Sequence, residues 1–336
     1  MELILTDRTA NDIRRLFDAE TDVDLKDTNT FELKINRGET KDDLAFGNMI
    51  YVPETEYGGI IGEVNTDTSM DTISVKGYTW RGLLNKKILR PPAGEDYLKI
   101  SGELNECLGT LISGSFGSLF SVSDKNTGQS VSNFQFNRYT TMLKGITKML
   151  KSVGYKLQIK YIQRERGVPG YVELSATPIV DYSETIELSQ DDQLDFTFQN
   201  VRNGINHLIC LGTGELKDRA VVDLYVQADG SIGEQPYYTG VDEIVGIYED
   251  TNAEAEELKE KGIDKLQELM NHTVFEMNVA TLNVDVEIGD IVGGRDYLTG
   301  LYAKKPVSGK IWRVAGGVQS VEYSVAGEGE ENEEIA

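Results

Sequence analysis

Apolar and polar residues alternate with a period of two through much of the chain, and a few stretches switch to helical spacing. Phe31, Leu33 and Ile35 fall on one side of a run whose other side carries Glu32 and Lys34, the pattern of a half-buried strand. Residues 3–5, 14–17 and 49–52 read as further short strands, the last stopped by Pro53. Residues 57–92 read as a strand, a polar turn at 67–71, a second strand, one helical turn and a stop. Ile60, Ile61 and Val64 lie in the first strand, and Ile73 and Val75 share one face of the second. Trp80-Arg81-Gly82-Leu83-Leu84 turns the chain. Pro91-Pro92 then ends regular structure, because proline lacks an N–H and restricts the residue before it. Residues 1–95 therefore predict an all-β block of barrel or sandwich type.

Residues 96–182 change period. Leu104, Cys107, Leu108 and Leu111 make a helical stripe with Ser101 as the expected cap and Gly114 as the stop. Strands at 119–122 and 131–136 flank a polar loop at 124–128 and predict a hairpin. Met142, Ile146, Met149, Leu150 and Val153 make a second helical face, closed by Gly154. Strands at 155–161 and 171–175 follow, so the segment reads as an α/β insertion domain, helix–hairpin twice. Residues 183–233 return to strands. Residues 234–272 predict a helical insertion with Asp250 or Thr251 as cap, glutamates 254, 256 and 257 in the first turns, and an apolar stripe from Leu258 to Met270. Strands resume at 273–327. Neither 183–233 nor 273–327 buries enough alone, so the two are expected to pair as one discontinuous β domain. The acidic, apolar-poor tail at 328–336 is expected to be disordered. The fold class is mainly β with α+β insertions.

Composition narrows the function. The 336 residues are 39% hydrophobic and 26% charged, a soluble globular balance for two to four domains. No apolar run approaches the roughly 18 residues of a membrane span, and the N-terminus lacks the basic start of a signal peptide. With 33 bases against 56 acids, the formal charge of −23 argues against a nucleic-acid-binding role. Cys107 and Cys210 lie far apart and read as buried thiols, which fits synthesis in a reducing cytoplasm.

Each candidate for chemistry has a plainer reading. Gly212-Thr213-Gly214 lacks the lysine of a phosphate loop and reads as a hairpin, and 113–118 reads as a linker. A zinc site would want His207 and His272, the two histidines, grouped with cysteines or carboxylates, and His207 inside an apolar strand reads instead as a core or edge histidine. Cys210 is three residues from His207, so a strand points the two to opposite faces. Asp229-Gly230 is a turn, not a calcium loop, and Asp191, Asp192 and Asp195 read as a solvated turn rather than a catalytic pair. No catalytic residue, metal site or cofactor is expected.

Three blocks carry a resemblance: GIIGEV…TISVKGYTWRGLLNKKILRPP, NHLICLGTGELKDRAVVDLYVQADGSI, and VEIGDIVGGRD…GKIWRV…VQSVEYSV. Their order and spacing resemble the tail-hub (baseplate-hub) family of phages and prophages of Gram-positive bacteria, over residues 3–327. The resemblance implies two tail-tube-like β-barrels, one at 1–95 and a discontinuous one at 183–233 and 273–327, joined to accessory domains. It implies a homotrimer at the virion tail tip. The partners would be the distal tail protein or tail tube, the tape-measure protein, and a spike, fibre or lysin subunit. Trp80, Arg81, Arg90 and Trp312 are candidate interface anchors, because Trp and Arg are enriched at interfaces, or else core residues. Two other readings are an enzyme on a β scaffold, and a carbohydrate or host-receptor module exposing Tyr237, Tyr238, Tyr297 and Tyr302.

Overall fold

The structure is a computed structural model that describes residues 2–325 except 18, 40–42, 166, 186, 189–194, 202, 280–285, 296–297, 299 and 301. The tail at 328–336, Asp191, Asp192 and Tyr297 lie outside the described residues, as do the side chains of Asp195 and His272. The chain forms two units. Unit 1 takes Met1–Asp195 and Met277–Val325, and unit 2 takes Phe196–Glu276.

Unit 1 begins with β1 (Leu3–Thr6), β2 (Asp12–Leu16), β3 (Glu20–Asp24), β4 (Thr30–Asn36), β5 (Met49–Tyr51), β6 (Gly58–Thr66) and β7 (Thr72–Thr79), then α1 (Trp80–Asn85). The strands pair antiparallel in the order β3–β4–β7–β6–β5–β1–β2. The strands β1 and β5 are buried on both faces. Alternation sends Leu3, Leu5 and Ile50 into one core and Ile4, Met49 and Tyr51 into another. That double burial is why these short runs are apolar without interruption. Between β6 and β7 the Phe31 ring lies on Gly59 and Gly77. A Cβ on Gly77 would stand 1.9 Å from the Ile60 carbonyl oxygen and 2.8 Å from Phe31 Cε1.

The insertion follows as β8 (Lys99–Glu103), α2 (Leu104–Ile112), β9 (Phe120–Val122), β10 (Ser130–Gln135), α3 (Met142–Lys151), β11 (Tyr155–Ile162) and β12 (Tyr171–Pro178). Both helices sit where the apolar stripes place them. Glu103 rather than Ser101 caps α2, accepting from the Glu106 N–H at 3.0 Å. The same side chain accepts from the Thr127 N–H at 2.8 Å and the Thr127 hydroxyl at 2.6 Å. Burial raises the Glu103 carboxyl, but the bonds from Thr127 and Glu106 outweigh it and hold it below its ordinary value. This capture changes the topology. The loop at 124–128 folds back on the start of α2, so β9 and β10 do not form the expected hairpin. Instead β10 pairs with β8, and β9 runs parallel to β12. The second expected hairpin, β11–β12, is present in register from Tyr155↔Pro178 to Ile162↔Tyr171.

The chain then runs through β13 (Glu187–Leu188) and β14 (Asp195–Val201) into unit 2. There it forms β15 (His207–Leu211), β16 (Val221–Val226), β17 (Ile232–Gly233), β18 (Val245–Glu249) and α4 (Ala255–Leu269). It returns through β19 (His272–Val279) to β20 (Ile291–Arg295), β21 (Tyr302–Ala315) and β22 (Val318–Val325). The strand β21 pairs β20 along its first part and β22 along its second, and residues 311–314 also pair β3. The N-terminal and C-terminal strands therefore share one continuous sheet rather than standing as separate blocks. Of the strands at 183–233, β13 pairs β20 and β14 neighbours β19 as the expected grouping with 273–327 requires, whereas β15, β16 and β17 form a separate sheet with β18 inside unit 2. Period-two patterning marks strands but not their partners, which for β21 and β3 lie about 290 residues apart.

In unit 2, α4 covers one face of the sheet β17–β16–β15–β18. Leu258 and Leu266 pack on Leu208, Cys210, Leu224 and Val226. Gly262 lets the helix approach, since a Cβ there would stand 2.5 Å from Cys210 Sγ. The helix begins at Glu254 with no side-chain cap, and Asp250 bonds Lys261 instead at 2.6 Å.

Gly77→Ala is expected to lower unfolding stability by about 1–3 kcal/mol, because the methyl group has no room against backbone. Gly62→Ala, where a Cβ meets nothing within 4 Å, is the control and is expected to be neutral. Urea denaturation of both variants checks this.

Candidate assembly surfaces

Three of the four candidate anchors are buried in unit 1. Trp80 sits at the base of the insertion, stacked on Tyr161 with centroids 5.7 Å apart and edge-on to Phe120 at 6.4 Å. Tyr161 stacks on Tyr51 at 3.7 Å, and the Tyr51 hydroxyl donates to Asp12 Oδ1 at 2.7 Å. Burial pushes both phenols above their ordinary range, helped at Tyr51 by its hydrogen bond to Asp12 and at Tyr161 by the charge of Asp12. Arg81 is buried beside it: its Nε donates to Glu56 Oε2 at 2.7 Å and a terminal nitrogen donates to the Leu157 carbonyl at 3.2 Å. Backbone bonds complete the seam, from Glu54 N–H to Tyr161 O at 3.0 Å and from Tyr161 N–H to Thr55 O at 2.9 Å. Trp312 lies in the second core, stacked on Tyr57 at 5.1 Å. These three residues pack inside unit 1. Arg90 is exposed.

A second tie fastens the insertion to the C-terminal strands. Lys156 Nζ lies 2.5 Å from Asp290 Oδ2, and both side chains are buried. The other Asp290 oxygen accepts from the Val180 N–H at 2.9 Å, so the carboxylate is satisfied on both sides. Neither Lys156 nor Asp290 stands out in the sequence, because each lies in an ordinary strand or turn.

The outward surfaces are partly apolar. In unit 2 the face away from α4 carries Ile209, Val221, Val245 and Ile247, the last 70% exposed. At the edge of that face the His207 ring stacks on Tyr225 at 4.2 Å. Its Nδ1 lies 2.8 Å from Glu243 Oε1 and its Nε2 lies 2.9 Å from Asp223 Oδ1. The histidine is satisfied by side chains that sequence spacing did not bring together. Cys210 faces the helix on the opposite side, which separates the pair as the strand period requires. Val241 and Leu216 stand at loop tips, 99% and 93% exposed. Tyr237 and Tyr238 pair edge to face at 4.9 Å within unit 2, and Tyr302 in unit 1 carries the Arg295 guanidinium over its ring at 4.9 Å. In unit 1, Phe17, Phe46, Met70 and Val318 are exposed.

The remaining candidates resolve as turns. Residues 212–214 open the β15–β16 connection, bonded to Ala220 at 2.8 Å in both directions. Asp229 caps its own turn through Ser231, whose hydroxyl and N–H hold the carboxyl below its ordinary value. Among the described residues no group of three or more His, Cys, Asp or Glu is placed to hold a metal, and no helix is long and apolar enough to cross a membrane.

No protein-family model matches the sequence, and no curated protein does. Solved structures do match. The 43 kDa tail protein of prophage MuSo2 from Shewanella oneidensis aligns over 99% of this chain and 100% of that one, with TM-score 0.56 and 13% identity. The chain has the fold of phage tail and baseplate proteins. The tail protein from Neisseria meningitidis MC58 aligns over 97% of this chain and 96% of that one, with TM-score 0.52 and 15% identity. A chain of the p2 virion baseplate in its activated conformation aligns over 99% and 100%, with TM-score 0.52 and 8% identity. The tail-protein fold thus spans this chain nearly end to end, both units included.

Arg81→Met is expected to destabilise unit 1 by about 3–5 kcal/mol, because it strands Glu56 in the core, whereas replacing both with apolar residues costs far less. Denaturation of the single and double variants checks this. Burial first, and then Asp223, pushes the Cys210 thiol from its ordinary 9.0 up to about 11. A raised folded value stabilises below pH 9 and loses that contribution as pH climbs through about 11, so Cys210 is expected to make unit 2 weaken on the alkaline side. Ellman's reagent at pH 8 is expected to label neither Cys107 nor Cys210 until denaturant is added.

Proposed function

We propose that this chain is a structural hub protein at the distal end of a phage or phage-like tail. Three copies form a ring that adapts the sixfold tail tube to the threefold tip and leaves a channel through its middle. The two halves of the continuous sheet, β3–β4–β7–β6–β5–β1–β2 and β19–β22–β21, supply two tube-like lobes per copy, so three copies give a pseudo-sixfold ring. The tail tube or distal tail protein sits above, the tape-measure protein inside, and a spike, fibre or lysin subunit below.

The observation that supports this reading is the near end-to-end likeness in fold to tail and baseplate proteins. Two features agree with it. The chain's buried charged residues tie its own elements together, as Arg81–Glu56 and Lys156–Asp290 do. Its apolar surface is spread over a sheet face and loop tips, as suits contact with other proteins. The charge of −23 has a role here: an acidic bore repels DNA phosphates within about 8 Å at physiological salt, preventing adhesion without driving movement.

A mass measurement in solution tests the reading. The expected species has three times the 37.3 kDa chain mass, alone or with neighbouring tail proteins added. A strict monomer under both conditions overturns the hub. Retention on a glycan column that Tyr237→Ala and Tyr238→Ala abolish favours the receptor-binding alternative.

A further inference from the structure

The acids of this chain are unevenly placed. No Asp or Glu occurs between Asp71 and Glu95, nor between Asp124 and Glu165, although the whole chain carries 56 of them. Both stretches keep their bases. The fold brings parts of the two together: the Leu89 N–H donates to Thr140 O at 2.9 Å, and the Met142 N–H donates to Lys87 O at 2.7 Å. Residues 86–90 are thereby laid against the first turn of α3. Lys86, Lys87 and Arg90 are exposed on one side of this seam. Arg138, Lys144 and Lys148 are exposed on the other, with Lys144 and Lys148 one turn apart on the solvent face of the helix. Ile88 and Tyr139, both exposed, lie among them.

Part of this has a local explanation. Lys148 and Lys151 occupy the last turn of α3, where the helix dipole favours cations. Lys86 caps the end of α1 and lies over the Tyr78 ring at 4.8 Å, Lys87 lies over Phe116 at 5.5 Å and Arg138 over Tyr139 at 5.7 Å, but neither a helix end nor a ring contact accounts for Arg90. Nor do they account for the missing acids, since solvated faces elsewhere in this chain mix both signs, as the Lys261–Glu257 and Lys265–Glu268 pairs on α4 do.

We infer that this basic seam is a docking face for an acidic surface on a second copy of the same chain. The inference rests on the ring proposed above and names one of its contacts. All 56 acids lie outside these two stretches, so the complementary sign is carried by other parts of a neighbouring copy. A twofold contact that placed seam on seam would oppose like charges. The contact is therefore heterologous, one face against a different face, which is the kind that builds a ring when its rotation closes. Arg90, the one exposed residue among the four candidate anchors, lies in this seam.

Sedimentation of the full chain tests it, comparing wild type, Lys87→Glu/Arg90→Glu, Lys144→Glu/Lys148→Glu, and Lys217→Glu as an exposed control outside the seam. Circular dichroism and unfolding midpoints confirm that each variant is folded. The expected result is a wild-type oligomer that weakens when salt rises from about 50 to 500 mM, as screened charges require. Both seam variants are expected to associate at least about tenfold more weakly, and the control to match wild type. Salt-insensitive wild-type association overturns the inference even if the seam variants fail to fold. Seam variants that assemble like wild type overturn it while leaving the ring intact. A wild type that is monomeric at every salt overturns the ring itself. A short DNA duplex that binds wild type and not the seam variants, with oligomerisation unchanged, assigns the seam to a polyanion and also overturns it.

Discussion

The stack of Tyr51, Tyr161 and Trp80 is the constraint on which unit 1 depends. Tyr51 belongs to a strand whose neighbours Ile50 and Val52 face a different core, so the stack sits on the back of a sheet that is already buried on its front. Trp80 begins the helical turn that ends the β block, and Tyr161 comes from the insertion. The three rings therefore fuse elements that differ in period and lie far apart in sequence. Aromatic groups suit this task because they bury a large area at a small cost in side-chain freedom. Arg81, one residue along, reaches the Leu157 carbonyl and so fixes the insertion in direction as well as position.

Much of the fold is legible in the sequence wherever burial is one-sided. The strand with Phe31, Leu33 and Ile35 alternates cleanly because one face is wet, and the stripes of α2, α3 and α4 fall where observed. What escaped notice escaped for physical reasons. In β3 only Val23 and Thr21 are buried, so Glu20-Thr21-Asp22-Val23-Asp24 carries almost no apolar signal, and its place in the sheet comes from backbone pairing with β21 and β4. In β18 the alternation misleads: Val245 and Ile247 point outward. The first hairpin of the insertion failed because Glu103 captures Thr127, a long-range contact that no local turn rule contains.

The same contrast runs through the candidate residues. Trp80, Arg81 and Trp312 were legible as important, but their role needed partners 25 to 76 residues away for Arg81 alone. The pairing of Lys156 with Asp290, and the clasp of His207 between Asp223 and Glu243, were invisible because each partner is unremarkable by itself. The acid-poor stretches were open to view, yet their meeting across Leu89 and Thr140 could be seen only in the fold. The buried charged groups serve such internal ties, and the outward signals are broad: charge over a face, apolar area over a sheet.

If the insertion and the sheet are one rigid body, as the aromatic stack and the buried ion pairs require, their amides should open together. Native-state hydrogen exchange can follow the Tyr161 N–H, bonded to Thr55, and the Gly170 N–H, bonded to Ala10, beside the Leu5 and Ile50 amides of the doubly buried strands. The account predicts one shared opening free energy for all four. Insertion amides that exchange through a separate, lower-energy opening would contradict it.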